Sequence, residues 1–186
     1  MVFSPDSRFV VSGGSDNKIL VWDSEEWVLV LTIEGHSKGV WSLAFTNDGR
    51  RLVSGSLDKT IKVWDFMSGE NVMILTGHTD CIRSISLFGN CVASGGEDKK
   101  VRLWDLNTGE CLNVFEEHTD NVSAIDFSAD GKMIASGGKD ATIKIWSREG
   151  LVCSIPAQSW VYSLKFCGRK LISSHKDKTL KVWTFD

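Results

Sequence analysis

The chain has 186 residues, of which 42% are hydrophobic and 24% are charged, and its formal net charge is −3. This composition predicts a soluble chain that can bury a core, and it excludes a disordered polypeptide. The N-terminus has no basic stretch followed by an apolar run, and no window approaches the roughly 20 apolar residues that span a bilayer. We therefore expect an intracellular protein, cytoplasmic or nuclear, that does not bind membranes.

The cysteines and the basic residues exclude further classes of function. The five cysteines are an odd number and include no Cys-x-x-Cys pair, which argues against a disulfide framework and a zinc site. Lysine and arginine are scattered rather than arranged in a stripe, so nucleic-acid binding has no obvious electrostatic source. The glycine pairs lack the residues that a nucleotide loop requires. We predict neither a metal nor a cofactor.

A repeat of about 40 residues runs through the chain. Each of five tryptophans lies ten residues after a serine and six residues after an aspartate. The tryptophans are Trp22, Trp64, Trp104, Trp146 and Trp183, the serines are Ser12, Ser54, Ser94, Ser136 and Ser173, and the aspartates are Asp16, Asp58, Asp98, Asp140 and Asp177. Such a period, with one tryptophan in every unit, predicts propeller blades.

In chain order, the repeat gives five units within a single propeller region. They span approximately residues 1–34, 35–76, 77–116, 117–156 and 157–186. Met1 already lies inside the first strand of the first unit, and the last unit ends directly after its third strand, so both are incomplete. Propellers close about four to eight blades into a ring. We therefore expect part of a larger ring rather than a closed five-bladed one.

Hydrophobic residues alternate within each unit, in short runs separated by Gly, Asn and Asp, as is typical of antiparallel hairpins. The strands predicted for the second unit are Val40–Phe45, Arg51–Ser56, 60–65 and Asn71–Leu75. The other units repeat this plan, and no segment with a helical period interrupts them. The sequence therefore predicts an all-β fold of four-stranded antiparallel blades.

The first strand of four units has a small residue at one matched position. These residues are Ser42, Ser84, Ala124 and Ser163. Small side chains suit an innermost strand, where neighbouring sheets converge on an axis. This pattern favours radial blades over a β-sandwich, which alternating strands alone leave open.

Serine, histidine and aspartate recur together, and these residue types also form hydrolase sites. The matched sets are His36, Ser54, Asp58 and Trp64, then His78, Ser94, Asp98 and Trp104, then His118, Ser136, Asp140 and Trp146. A nucleophile needs its base, carboxylate and oxyanion donors at one cleft, whereas three identical sets indicate a structural role. A hydroxyl can accept a buried indole N–H, and a neutral imidazole can bridge hydroxyl and carboxylate. We predict structural tetrads and no catalytic residue.

The ends of the units carry a family resemblance. The openings are Gly35-His36 and Gly77-His78, and the closings are Val21-Trp22-Asp23, Val63-Trp64-Asp65 and Leu103-Trp104-Asp105. In order and spacing, over nearly the whole chain, these motifs resemble the WD-repeat family of β-propellers. The resemblance implies a ring of seven blades, a hydrogen-bonded Trp-Ser-His-Asp tetrad in many of them, and a non-enzymatic platform that assembles other proteins.

The fifth unit departs from this pattern. Its opening, residues 156–160, contains no histidine, so the unit lacks a full tetrad. His175 aligns with Ser56 at the end of a second strand. We expect His175 to have an incidental polar role and not to replace the missing imidazole.

The resemblance also implies which residues reach the partner-binding face, where the Gly-His loops and the turns between second and third strands emerge. The candidates are Trp41, Leu57, Arg83, Glu97, Ser123, Lys139, Trp160, Tyr162 and Lys176, with Gly39, Cys81 and Asn121 beside them. Tryptophan, tyrosine and arginine are enriched among residues that dominate binding energy. The alternative for Trp41 and Trp160 is simple packing near the mouth of the channel.

Three functions of different class follow from these patterns. A scaffold that binds other proteins, as peptides or domains, is favoured. A reader of a peptide mark or of nucleic acid within a larger complex is the alternative, and a hydrolase is the least favoured. Because an incomplete end blade exposes a strand edge, we also expect the chain to self-associate.

Overall fold

Five antiparallel sheets make up the part of the chain that the structure describes. The structure is a computed structural model and describes residues 1–185. Its elements in that range are all β-strands, and no helix there has the length and apolar character needed to span a bilayer. Each sheet is a meander in which consecutive strands are hydrogen-bonded neighbours. The all-β prediction is confirmed.

The strands are numbered in chain order. The first sheet contains β1 (Val2–Phe3), β2 (Phe9–Gly13), β3 (Ile19–Asp23) and β4 (Leu29–Ile33). The second contains β5 (Val40–Phe45), β6 (Arg51–Ser56), β7 (Ile61–Asp65) and β8 (Asn71–Leu75). The third contains β9 (Ile82–Phe88), β10 (Cys91–Gly96), β11 (Val101–Asp105) and β12 (Cys111–Phe115). The fourth contains β13 (Val122–Phe127), β14 (Ile134–Gly138), β15 (Thr142–Ser147) and β16 (Gly150–Pro156). The fifth contains β17 (Val161–Cys167), β18 (Lys170–His175) and β19 (Leu180–Thr184).

The second sheet shows where the strand prediction differs from the structure. β5, β6 and β8 have the predicted bounds, and β7 begins at Ile61, one residue later than predicted. Thr60 belongs to the preceding turn, because its backbone N–H and its hydroxyl donate to Asp58 Oδ1 at 3.0 and 2.6 Å. A carboxylate that binds the backbone of a turn competes with the strand ladder.

The core lies between neighbouring sheets. Trp64 of β7 shares a buried cluster with Val11 and Ile19 of the first sheet. In the same way, Trp104 of β11 shares one with Val53 of the second sheet. Four such clusters join the five sheets in chain order. The tryptophan of one repeat unit is therefore buried by the unit before it.

The first strand of each sheet is innermost, and hydrogen bonds join these strands. The backbone N–H of Ile85 donates to Ser42 Oγ at 3.0 Å, and the N–H of Ile125 donates to Ser84 Oγ at 3.1 Å. Two of the small residues predicted at this position to avoid crowding, Ser42 and Ser84, thus also accept a hydrogen bond from the next sheet.

Asp126 makes the corresponding link between the fourth and fifth sheets, where Ala124 has no hydroxyl. Its Oδ2 accepts the N–H of Phe166 at 2.8 Å, and its Oδ1 accepts Lys165 Nζ at 2.7 Å and the Ser86 hydroxyl at 3.1 Å. The buried carboxylate thus has a cation and two further donors, as a buried charge requires.

A cavity of about 410 Å³ marks the axis of the fold. It is lined by residues near the inner edge of all five sheets, from Val2 and Phe3 in the first to Leu164 and Lys165 in the fifth. Sheets that converge on one axis are propeller blades, and this arrangement is not that of a β-sandwich.

The face of the fifth sheet that points away from the fourth sheet is apolar and exposed. Ile172, Leu180 and Val182 are 37%, 74% and 58% exposed, whereas the matching residues of the second sheet, Val53, Ile61 and Val63, are each 0% exposed. The third sheet covers that matching surface. Within residues 1–185, no sheet follows the fifth to cover it.

Candidate partner-binding face

Three blades hold serine, histidine, aspartate and tryptophan in one hydrogen-bonded chain. In the second blade, Trp64 Nε1 donates to Ser54 Oγ at 2.8 Å, and that oxygen lies 2.7 Å from His36 Nε2. His36 Nδ1 lies 2.7 Å from Asp58 Oδ2. The same contacts, at 2.7 to 2.8 Å, join His78, Ser94, Asp98 and Trp104 in the third blade and His118, Ser136, Asp140 and Trp146 in the fourth.

The protonation states follow from burial and hydrogen bonding. Burial alone would raise the pKa of Asp58, but hydrogen bonds from Thr60, His36 and the Ser37 backbone outweigh it and lower the pKa to about 2. Burial lowers the pKa of His36, although Asp58 opposes this. The network is satisfied when neutral His36 donates from Nδ1 to the carboxylate and accepts the serine hydroxyl at Nε2.

The other two tetrads have ionised carboxylates as well. For both Asp98 and Asp140, burial would raise the pKa, but hydrogen bonds from the neighbouring histidine and from backbone N–H groups prevail. The pKa of Asp98 is lowered, and that of Asp140 falls to about 2.

The tetrads lie inside the blades. Their serines are fully buried, and their aspartate side chains are at most 7% exposed. A catalytic serine must reach a substrate, whereas these hydroxyls are enclosed by an indole and an imidazole. Chemically, the arrangement can link the loop that opens a blade to its second and third strands.

The fifth blade corrects one sequence prediction. Trp183 Nε1 donates to Ser173 Oγ at 2.8 Å, and His175 Nε2 lies 2.7 Å from the same oxygen. The expectation that His175 does not replace the missing imidazole is therefore wrong for this contact. The replacement is partial, because His175 Nδ1 faces the carbonyl oxygen of Ser159 at 3.5 Å and not Asp177. Residues i and i+2 lie on one side of a strand, which is the signal that could have revealed it.

The first blade has the shortest form of this network. Trp22 Nε1 donates to Ser12 Oγ at 3.4 Å, and this unit contains no histidine. Both residues are only partly buried.

One backbone hydrogen bond recurs at the candidate partner-binding face and places its residues in pairs. In each of four blades, the residue before the turn aspartate donates its N–H to the carbonyl of the residue before the first strand. The pairs are Leu57 with Gly39, Glu97 with Cys81, Lys139 with Asn121, and Lys176 with Trp160, at 2.8 to 2.9 Å. Strand alternation then puts Trp41, Arg83, Ser123 and Tyr162 beside them.

Trp41, Arg83 and Glu97 form the first cluster on this face. The guanidinium of Arg83 lies 4.6 Å from the ring centroid of Trp41. Arg83 also donates from Nε to Glu97 Oε1 at 2.8 Å and forms an ion pair with it through Nη2. Trp41 is 56% exposed. On this face the Trp41 ring thus packs against Arg83 and leaves about half of its surface open.

Trp160 and two lysines form the second cluster. Lys176 Nζ lies 3.6 Å from the ring centroid of Trp160, and Lys139 Nζ lies 5.6 Å from it. Trp160 is 36% exposed, and Tyr162, two residues further along, is 53% exposed. Lys139 comes from the fourth blade and the others from the fifth, so the cluster bridges two blades.

The remaining candidates contribute less to either cluster. Ser123 is half-buried between the two clusters in chain order, and Leu57 is half-buried with its carbonyl 3.5 Å from Cys81 Sγ. Seven of the nine candidates therefore fall into two clusters of aromatic and charged side chains, and Leu57 and Ser123 lie outside both clusters.

Sequence reasoning also missed a small acidic group. One ligand atom each from Asp80, Cys81 and Glu97 lie within 4.8 Å of one another. Glu97 is already paired with Arg83, and burial raises the pKa of the Cys81 thiol. A protonated thiol and a carboxylate that already binds a cation are poor metal ligands. The sequence gives little sign of this group, because Glu97 is distant from Asp80 and Cys81 along the chain and approaches Cys81 only in the turn that follows β10.

The fold and the tetrads define the class of protein: a β-propeller of repeated antiparallel blades with internal hydrogen-bonded links. Comparison with known proteins then gives the family. The WD40 family model, described as "WD domain, G-beta repeat", matches residues 1–23, 27–65, 69–105, 109–147 and 150–184. The chain belongs to the WD-repeat family.

One segment of the chain is similar to the general transcriptional corepressor TUP1 of Saccharomyces cerevisiae. The two sequences are 37% identical over 43 residues, which is 23% of this chain and 6% of the yeast protein. The similarity thus spans about one repeat, and the chain matches only a small part of that relative's length.

Proposed function

We propose that this protein is a non-catalytic scaffold that binds other proteins on the face formed by the two aromatic clusters. The observation that carries the proposal is a contrast in burial. The serine, histidine and aspartate side chains of the three tetrads are buried, whereas Trp41 and Tyr162 expose more than half of their surface. Exposed aromatic and arginine side chains are the residues that dominate binding at protein interfaces.

The test is capture of partners from a cell extract by wild-type protein and by a W41A/R83A/Y162A variant. We expect the variant to lose a specific set of captured proteins while its thermal midpoint stays within about 3 °C of the wild type. The matched control is M67A/V72A, which removes two exposed apolar side chains on the outer side of the second blade. Retention of the same partners by the triple variant would reject this face.

The alternatives predict different ligands. A reader of a methylated lysine needs an open aromatic cage, whereas the Trp160 ring already faces Lys176. A nucleic-acid reader needs a basic surface, whereas Arg83 is paired with Glu97 and the chain carries a net charge of −3. We propose peptides or domains of other proteins as the ligands.

We also propose that the protein works inside the cell. The support is the segment that resembles a protein named as a transcriptional corepressor. Fractionation of cells that express a tagged chain tests this, with recovery in the cytosolic or nuclear fraction expected and recovery from the medium as the contrary result.

A further inference from the structure

The second cluster differs from the first in how its charge is compensated. The guanidinium of Arg83 has an ion-pair partner in Glu97. Within residues 1–185, neither Lys139 nor Lys176 has a carboxylate within 4.0 Å of its ammonium group. The two ammonium groups nevertheless share the ring of Trp160.

The carboxylates closest to these lysines in sequence, and that of Asp120, accept hydrogen bonds from other groups. Asp177, next to Lys176 in sequence, accepts the backbone N–H and the hydroxyl of Thr179 at 3.0 and 2.6 Å. Asp140, next to Lys139, is held by His118 inside the fourth tetrad. Asp120 accepts the backbone N–H of Asn121 at 2.7 Å. The lysines therefore present two uncompensated positive charges at the surface.

Like charges gathered on one ring repel each other, and a cation–π contact at an exposed site returns only about 0.5 to 1 kcal/mol. An anionic ligand bound at these ammonium groups would compensate their charge. Trp160 and Tyr162 would offer it exposed aromatic surface on the same side.

We propose that Lys139, Trp160, Lys176 and Tyr162 bind an acidic peptide segment of a partner protein, with aspartate or glutamate side chains at the lysines and an apolar side chain on the aromatic rings. This inference rests on the proposed scaffold function and adds the chemistry of the ligand. A short acidic peptide fits better than a nucleic acid. A longer polyanion that extends along the face would meet the carboxylates of Glu97 and Asp80 in the third blade, and the net charge of −3 on the chain would repel it.

The test measures fluorescence anisotropy of a labelled peptide of repeated Asp-Leu-Glu triplets, with Asn-Leu-Gln triplets as the uncharged counterpart. We expect the wild-type protein to bind only the acidic peptide, and added salt to weaken the binding. K139Q/K176Q should weaken it about tenfold or more, whereas K139R/K176R, which keeps both charges, should stay within about threefold.

The matched control is K38Q/K99Q, which removes two exposed lysines from loops of other blades on this face. We expect it to bind the acidic peptide like the wild type. An equal loss of binding in this control, or no binding by the wild-type protein, would overturn the inference. Tighter binding of a single-stranded oligonucleotide of the same charge would overturn it in favour of nucleic acid.

The two proposals fail in different ways. If K139Q/K176Q binds the peptide like the wild type while W41A/R83A/Y162A loses its captured partners, the acidic-peptide inference fails and the scaffold stands. If K139Q/K176Q loses the peptide while the triple variant keeps its captured partners, the peptide site stands and the proposed scaffold face fails.

Discussion

At the scale of single residues, the same side chains that suggest catalysis are arranged to hold a blade together. Ser54 is in contact with both Trp64 Nε1 and His36 Nε2. Each such hydrogen bond contributes about 1 kcal/mol net, but a buried group left without a partner costs about 1 to 3 kcal/mol. Removal of the Ser54 hydroxyl therefore lowers stability mainly because its buried partners lose their hydrogen bonds.

Ser54→Ala should therefore lower the free energy of unfolding by about 1 to 3 kcal/mol, because it leaves a buried indole N–H and a buried imidazole nitrogen unpaired. Urea denaturation followed by tryptophan fluorescence measures this. Ser37→Ala, at an exposed serine of the same blade, should change the value by less than about 0.5 kcal/mol. Equal stability of the two variants would contradict the structural role of the tetrad.

Acid should destabilise the protein in two steps. Burial lowers the pKa of His36 below its ordinary value of 6.5, so below that pH the unfolded chain binds a proton that the folded chain does not. The pKa values of Asp58 and Asp140 are lowered from 3.8 to about 2, so the stability from their ionised forms is present above pH 3.8 and is lost as the pH falls towards about 2.

Urea midpoints measured from about pH 7 to about pH 2 follow both steps. His36→Gln should flatten the decline that begins near pH 6.5, where the unfolded imidazole titrates. A midpoint that rises as the pH falls from 6.5 would show that His36 is charged in the folded protein.

At the scale of elements, close contact between blades explains the glycine that follows each of four serines. A Cβ added to Gly95 would lie 2.5 Å from Val122 Cγ1 and 2.9 Å from Ile125 Cδ1, both in the next blade. Gly13, Gly55 and Gly137 meet the next inner strand in the same way. The fifth blade has Ser174 at the matching position.

Gly95→Ala should lower the free energy of unfolding by about 1 to 3 kcal/mol, because the added methyl group overpacks the contact between the third and fourth blades. Ser174→Ala is the matched control and should change it by less than about 0.5 kcal/mol. Thermal unfolding of both variants gives the comparison. An unchanged midpoint for Gly95→Ala would mean that the blades are packed less closely than in this structure.

Much at this scale could be predicted from the sequence, because strand alternation and the tryptophan period are local patterns. The strands of the second blade differ from prediction only at Thr60, where a turn carboxylate holds the residue. The links made by Ser42 and Asp126 could not be predicted, since they join residues about 40 positions apart through the stacking of blades. His175 was misjudged because alignment of units assigns its position to Ser56, whereas its ring reaches a serine in its own strand.

The site was predictable as a set of positions and not as contacts. Repeat spacing places both Arg83 and Lys139 on this face, but it cannot show that Arg83 is paired with Glu97 while Lys139 has no ion-pair partner within residues 1–185. That difference depends on side chains from neighbouring blades, and it decides which cluster remains open to an anion.

At the scale of the whole molecule, the fifth blade presents an apolar surface where the second blade is covered. Leu180 and Val182 are 74% and 58% exposed. Exposed apolar patches of this kind favour association. We therefore predict that the chain self-associates, with a mass by light scattering that rises with concentration.

L180K/V182T should shift the light-scattering mass towards the monomer, because it makes this surface polar. The control is V72T/I74K, which makes the same kind of change at two exposed positions of β8. A monomeric wild-type protein at all concentrations would refute self-association, and an equal shift in the control would show that another surface is responsible.

We propose that the tetrads stabilise the blades while the exposed aromatic face binds partners. This proposal is tested most directly by measuring, for Ser54→Ala and for W41A/R83A/Y162A side by side, the capture of partners at a temperature where both variants remain folded. We predict that Ser54→Ala keeps the wild-type set of partners despite its lower stability, and that the face variant loses that set at wild-type stability. Loss of partners by the folded Ser54→Ala protein, with full capture by the face variant, would contradict these roles of the tetrad and the face.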